Sequence, residues 1–228
     1  MHPAGLSPAE NNTAVQTGAA AIKIKWNVCF VKSIFLPAAS NRLYRMQIEH
    51  LHDIENYVQQ NLATLSEYQL NWQPAAGKWS IAQCLDHLMV TNEKYFPSFE
   101  KILAHTYTPS LWQRINPFTK LTGRSFLKNI SEVPDKKFKA PKIFAPASSQ
   151  YSTGVITDFI HHQQKVIHLF TGLKKLNTRE IIISSPVSNI ITLRLKDALT
   201  LIVQHEQRHI SQANNVLHHS LFPEWWFN

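Results

Sequence analysis

QHEQRHISQANNVL, residues 204–217, carries two histidines four positions apart, His205 and His209. A helix stacks positions i and i+4 on one face, where two imidazoles can share one metal ion. Leu195, Leu199 and Ile202 before the pair, and Ala213, Val216 and Leu217 after it, keep helical spacing. The run therefore predicts a helix over 193–219. With Ile202 as origin and about 100° per residue, His209 falls within roughly 20° of the apolar stripe and His205 roughly 60° to one side. Both point into or along a core. A buried imidazole needs partners for its ring nitrogens. A metal is one answer; a neighbouring carbonyl or hydroxyl is the other. The same letters spell H-E-x-x-H, the zinc-protease string, in which Glu206 would be the general base.

Working outward, three more amphipathic stretches appear. Leu43, Met46, Leu51, Ile54, Val58, Leu62 and Leu65 recur mostly at spacings of three or four, predicting a first helix over 43–65. After a loop with Pro74 and Gly77, Ser80 is a candidate N-cap for a second helix over 81–105. Its apolar face is Ile81, Cys84, Leu85, Leu88, Tyr95, Phe99, Ile102 and Leu103, and Pro97 should kink or divide it. Residues 106–148 read as a long irregular connection holding Pro109, Pro117, Pro134, Pro141 and Pro146. A third helix is expected over 149–175, with Val155, Phe159, Val166, Leu169, Phe170 and Leu173 inward. Residues 176–192 are β-branched and polar, suited to a short strand or extended segment. The tail LFPEWWFN should fold back on the helices. Four such helices imply an all-α four-helix bundle with a long connection between helices two and three.

Composition agrees. The chain has 228 residues, 44% hydrophobic and 17% charged, enough for one packed core. Six glycines are few for a many-turned β protein. The net charge of +8 concentrates in residues 1–45 and 101–142. With no nucleic-acid motif present, a solvated basic tail and loop is the plainer account of it than nucleic-acid or membrane contact. Residues 1–45 are expected to be an extension and 46–228 the folded domain, with Met46 as an alternative start. The stretch IKIKWNVCFVKSIFLPAAS faintly resembles a signal peptide. Lys32 interrupts its apolar run, leaving too little to span a membrane. Cys29 and Cys84 form no C-x-x-C pair, which suits a reducing cytoplasm.

A metal site needs a third ligand. His87, in CLDHLMV on the second helix, is the first candidate, although it flanks the apolar face rather than centring it. Cys84 is an alternative, better read as a small buried hydrophobe. His50, His52, His161 and His162 compete, and adjacent histidines must face different ways. Three histidines would leave a position open for water or substrate, and a metal makes a bound water or thiol easier to deprotonate. Gln212, one turn past His209, is placed to support it. Glu206 could steer a proton; its plain reading is a surface charge. Trp79, Tyr95 and Phe99 are candidate walls of a nearby cavity. Against the protease reading, no sheet is expected beside this helix, and His218 and His219 lie too far downstream for the usual third ligand.

GKWSIAQCLDHLMVTNEKYF (77–96) and LKDALTLIVQHEQRHISQANNVL (195–217) resemble the DinB/YfiT-like metalloenzyme family. KKFKAPKIFAP and the Ser185-Pro186 stretch also look like one branch of it. The resemblance covers roughly residues 46–220. It implies a four-helix bundle with one histidine on the second helix and an H-x-x-x-H pair on the fourth, mapping the metal ligands onto His87, His205 and His209. The metal would be zinc, nickel or iron. Relatives include S-transferases that use a low-molecular-weight thiol such as bacillithiol or mycothiol, and a mycothiol-dependent maleylpyruvate isomerase. The resemblance thus implies a metal-dependent transferase acting on a small-molecule substrate with a thiol cosubstrate, and a homodimer to which Trp225 and Trp226 could contribute. No nucleic-acid or membrane partner is expected. A non-catalytic, metal-stabilised bundle linked to stress or binding is the alternative, and a zinc hydrolase through Glu206 the third reading.

Overall fold

A computed structural model describes residues 38–131 and 142–223. The expected extension up to residue 37, most of the basic run 136–142, and Trp225 and Trp226 lie outside the described residues. The described chain is mostly helical. In order come α1 (Ala38–Asn61), α2 (Glu67–Asn71), α3 (Ile81–Glu93), α4 (Phe96–Leu103), α5 (Leu111–Ile115), α6 (Thr119–Ser131), a 3-10 turn (Lys142–Phe144), α7 (Gly154–Leu173), strands β1 (Ile182–Ser185) and β2 (Ser188–Arg194), and α8 (Leu195–Leu217).

Local sequence fixes many of these boundaries. Ser66 with Gln69, Ser80 with Gln83 and Ser110 with Gln113 form three capping boxes, each satisfying two otherwise orphaned N–H groups at the start of α2, α3 and α5. Pro97 stands in the first turn of α4, where its missing N–H costs nothing. It therefore divides the expected second helix into α3 and α4. Gly77 turns the chain at φ +74°, a conformation that a Cβ disfavours.

α1 packs against α7 and α8, and α3 packs against the same two helices. Two apolar clusters run through them. One holds Tyr44, Leu51, Tyr95, Phe99, Val166, Phe170, Leu199 and Val203. The other holds Ile54, Val58, Leu85, Leu88, Phe159, Ile210, Ala213 and Val216. α1, α7 and α8 each cross from one cluster to the other, and the chain does the same in passing from α3 to α4. At the crossing lie three buried polar side chains, Asn92, Gln163 and Glu206.

Several expectations need correction. The first helix begins at Ala38 rather than at Leu43 and ends at Asn61; Tyr44 is buried and hydrogen-bonded to Thr178. Met46, read as a core residue, is 44% exposed. The connection 106–148 is not irregular throughout. It contains α5 and α6, and α6 packs on α8 and β2. Its prolines punctuate these helices: Pro109 precedes the N-cap Ser110, and Pro117 lies between α5 and α6. Residues 176–192 do turn extended, as an antiparallel hairpin pairing Ile183 with Leu193 and bulged at Ser184/Ser185. The described part of the tail folds back: Phe222 packs edge-on against Trp72, 5.5 Å between centroids, and Gln69 Nε2 donates to the Pro223 carbonyl at 3.0 Å.

Candidate metal centre

His87 lies mid-way along α3, and His205 and His209 face it from successive turns of α8. Among the described residues these three are brought together: one ligand atom from each lies within 4.8 Å of the others. Nε2 of His87 is 3.2 Å from Nε2 of His205. The ring centroids stand 4.5 Å (His87 to His209), 4.6 Å (His205 to His209) and 5.0 Å (His87 to His205) apart. His87 and His209 are buried, 3% and 9% exposed.

The outer ring nitrogens decide which way the lone pairs point. Nδ1 of His87 lies 2.5 Å from the carbonyl oxygen of Phe144. A carbonyl can only accept, so this Nδ1 carries the hydrogen and Nε2 keeps its lone pair toward the other histidines. Likewise His209 Nδ1 donates to Gln212 Oε1 at 3.1 Å, the support expected of Gln212. Burial lowers the pKa of all three histidines, and each is lowered further by a neighbouring positive group except His87, where the Phe144 bond partly offsets burial. His209 is lowered to about 3. Near neutral pH the imidazoles are therefore neutral and free to donate lone pairs.

The donor set fits a divalent transition ion. Imidazole nitrogens about 2.0–2.1 Å from one tetrahedral ion stand about 3.3 Å apart, close to the 3.2 Å between His87 and His205. Metal-bound histidines characteristically give their other ring N–H to a carbonyl or amide oxygen, and two of these three do. Trp79 closes one side, its ring 4.7 Å from His87 and stacked 5.5 Å from His209.

Other candidates are placed elsewhere. Cys84 is fully buried among Leu85 and Leu88, its thiol pushed up to about 12 by burial, and it is not in the histidine group. Tyr95 and Phe99 stack on each other in the other cluster, so of the expected walls only Trp79 adjoins the ligands. His162 is buried against Phe96, with ring centroids 5.2 Å apart. His50 and His52 sit at the surface beside Asp53 and Glu55. His219 packs on Trp72, and His218 bonds the Asn214 carbonyl.

Glu206 is fully buried, not a surface charge. Asn92 Nδ2 donates to its Oε1 at 2.7 Å and Gln163 Nε2 to its Oε2 at 2.8 Å. Burial, only partly offset by these bonds, raises its pKa to about 7. Its carboxylate is thus engaged in the helix interior rather than in the histidine group.

Four contributors escaped the sequence reading. Phe144 acts through its backbone, which no residue pattern reveals. Asp86 accepts from Tyr151 Oη at 2.9 Å and from the Ala147 N–H at 2.7 Å, tying the segment after the turn to α3. Asn92 and Gln163 occupy apolar positions of their helices, a signal available but not used.

The chain belongs to the DinB superfamily, whose family model matches residues 50–213. Comparisons with curated proteins and with solved structures give no match. No helix among the described residues is long and apolar enough to cross a membrane.

Proposed function

We propose that the protein is a metal-dependent enzyme of the thiol-dependent S-transferase type, joining the sulfur of a low-molecular-weight thiol to a small electrophilic substrate. His87, His205 and His209 hold the metal, which is zinc, nickel or iron. The observation that carries this reading is the convergence of three neutral imidazoles within 4.8 Å. A divalent ion held there supplies Lewis acidity that favours the deprotonated form of a thiol or water.

The chain's own residues do the rest. Phe144 and Gln212 keep the His87 and His209 Nδ1 hydrogens turned outward. Trp79 shields one flank from water. In sequence the basic run 136–142 leads into the turn whose Phe144 carbonyl holds His87, and basic charge favours an anionic thiol. We place the protein in the cytoplasm, where a buried free Cys84 is at home. A homodimer is part of the same proposal, supported by exposed Leu111 and Ile115 on α5, Phe118 in the turn after it and Leu121 on α6.

A non-catalytic, metal-stabilised role is favoured by one observation: two of the three ligands are buried and join α3 to α8. The hydrolase reading has no comparable support, because Glu206 is engaged with Asn92 and Gln163.

Elemental analysis of the full chain beside a His205→Ala/His209→Ala variant tests the site. About one ion per chain, lost in the variant, is expected. No metal after reconstitution with zinc, nickel and iron would overturn it. A screen of thiols against electrophiles then separates the two roles. Metal-dependent thiol consumption supports the enzyme; a chain that consumes none and unfolds on chelation supports the stabilising role.

A further inference from the structure

The buried polar side chains between the two apolar clusters form a single layer across the long helices. Glu206 of α8 receives hydrogen bonds from Asn92 of α3 and Gln163 of α7. Gln163 Nε2 also donates to the Leu51 carbonyl of α1 at 3.1 Å. One network therefore touches all four long helices. Along the chain it falls between the clusters: between Leu88 of α3 and Tyr95 at the start of α4, between Phe159 and Val166 of α7, and between Val203 and Ile210 of α8. Glu206 is also the residue next to His205 and one turn before the residue following His209.

An apolar stripe alone tolerates sliding, because one leucine packs nearly as well as the next. A buried carboxylate does not, since displacement would strand it without donors. One polar position in an otherwise apolar seam can fix register in this way. A slip of one turn, about 5.4 Å, exceeds the whole 4.8 Å spread of the ligand atoms.

We propose that Glu206, with Asn92 and Gln163, is the positioning element of the metal centre: it sets the register of α8 against α3 so that His205 and His209 meet His87. The proposal rests on the reading of these three histidines as ligands. It assigns Glu206 no contact with the metal or with substrate.

The layer predicts which substitutions matter. Asn92 Oδ1 and Gln163 Oε1 are buried and have no hydrogen-bond partner. In Glu206→Gln the amide oxygen still accepts from Gln163 Nε2, and a turned-over Asn92 presents Oδ1 to the new NH2 group, so the layer is kept. Replacing all three residues by leucine removes it and leaves nothing to hold the register.

Cobalt(II) titration of the full-length chain is the test, read by affinity and by the ligand-field absorption of the bound ion. In Glu206→Gln both should stay close to wild type. In Asn92→Leu/Gln163→Leu/Glu206→Leu affinity should fall about tenfold or more, with an altered or heterogeneous spectrum, while the thermal melt stays at or above wild type. Should the triple variant not fold, Gln163→Leu is read in its place, since α7 carries no ligand. Wild-type affinity and spectrum in the folded leucine variant would overturn the proposal. So would a large loss in Glu206→Gln, which would mean the charge acts directly. Imidazole ¹⁵N spectra of the metal-free proteins give a second readout. If the wild type binds no cobalt, the metal reading fails, and a changed His87, His205 and His209 pattern in the leucine variant still decides the register question.

Discussion

His87 and Phe144 are joined by a hydrogen bond across 57 residues of chain, the imidazole Nδ1–H donating to a backbone carbonyl in the 3-10 turn. The turn thereby sets the tautomer that leaves Nε2 facing α8. His87→Ala removes both the nitrogen donor and this tether. Elemental analysis of the purified variant should find most of the metal gone; wild-type content would show that His87 is not a ligand.

Gln212 does for His209 what Phe144 does for His87, with a side-chain amide oxygen in place of a backbone carbonyl. Gln212→Ala should therefore weaken metal binding by about 10–100-fold and leave the melting of the metal-free protein nearly unchanged. Competition against a chromogenic chelator measures the first and circular dichroism the second. An unchanged affinity would mean that His209 needs no partner on its outer nitrogen.

Trp79 packs against two of the three imidazoles. Nickel(II) bound there should quench part of the tryptophan emission, saturating at about one ion per chain. In Trp79→Phe that metal-dependent part should largely vanish. Equal quenching in the variant would place the ion elsewhere.

Acid sensitivity should be read at His162, which lies away from the ligands. Burial, aided by the charge of Lys165, lowers its pKa from 6.5 to about 4. The unfolded chain then takes up this proton first, so stability is complete above pH 6.5 and falls as pH drops toward 4. The loss is on the order of 3 kcal/mol over that window. Urea unfolding should show a shallower pH slope in His162→Gln than in wild type. Parallel slopes would mean that His162 does not titrate in this way.

Ser80 starts the helix that carries His87. Its hydroxyl accepts from the Gln83 N–H at 3.2 Å, and Gln83 Oε1 accepts in return from the Ser80 N–H at 3.1 Å. Ser80→Ala should cost about 1 kcal/mol in urea unfolding. No measurable loss would show that the box adds nothing at this buried helix start.

Where spacing was regular, the sequence was readable. Leu85, Leu88, Tyr95 and Phe99, and Val155, Phe159, Val166 and Phe170, are buried as their periodicity predicts. The i, i+4 pair raised the metal reading, His87 was its first candidate for a third ligand, and the resemblance mapped onto the same three residues. Prolines misled in residues 106–148, because a proline just before a helix reads the same as one that forbids it; Ser110 and Gln113 were the missed signal. Glu206 misled because charge was weighed before position. The wheel that placed His209 on the stripe puts Glu206 about 40° from Ile202, and Asn92 and Gln163 follow Leu88 and Phe159 by one turn. Three polar residues on three apolar stripes are more economically read as partners than as three exceptions.

α8 follows β2 without a break, Arg194 ending the strand and Leu195 opening the helix. Its first turns lie against α6: a Cβ on Gly123 would come within 2.7 Å of the Asp197 carboxylate. Its later turns carry His205 and His209. Those later turns also pack Ile210, Ala213 and Val216 into the second cluster; on the reading of the two histidines as ligands, an exchangeable ion would add a tie to α3 there. Withdrawal of that ion should let amide hydrogens exchange from the Leu217 end inward, while those near Leu199 stay slow. The same helix would then serve as a gauge of metal supply, its frayed length lengthening as the ion becomes scarce.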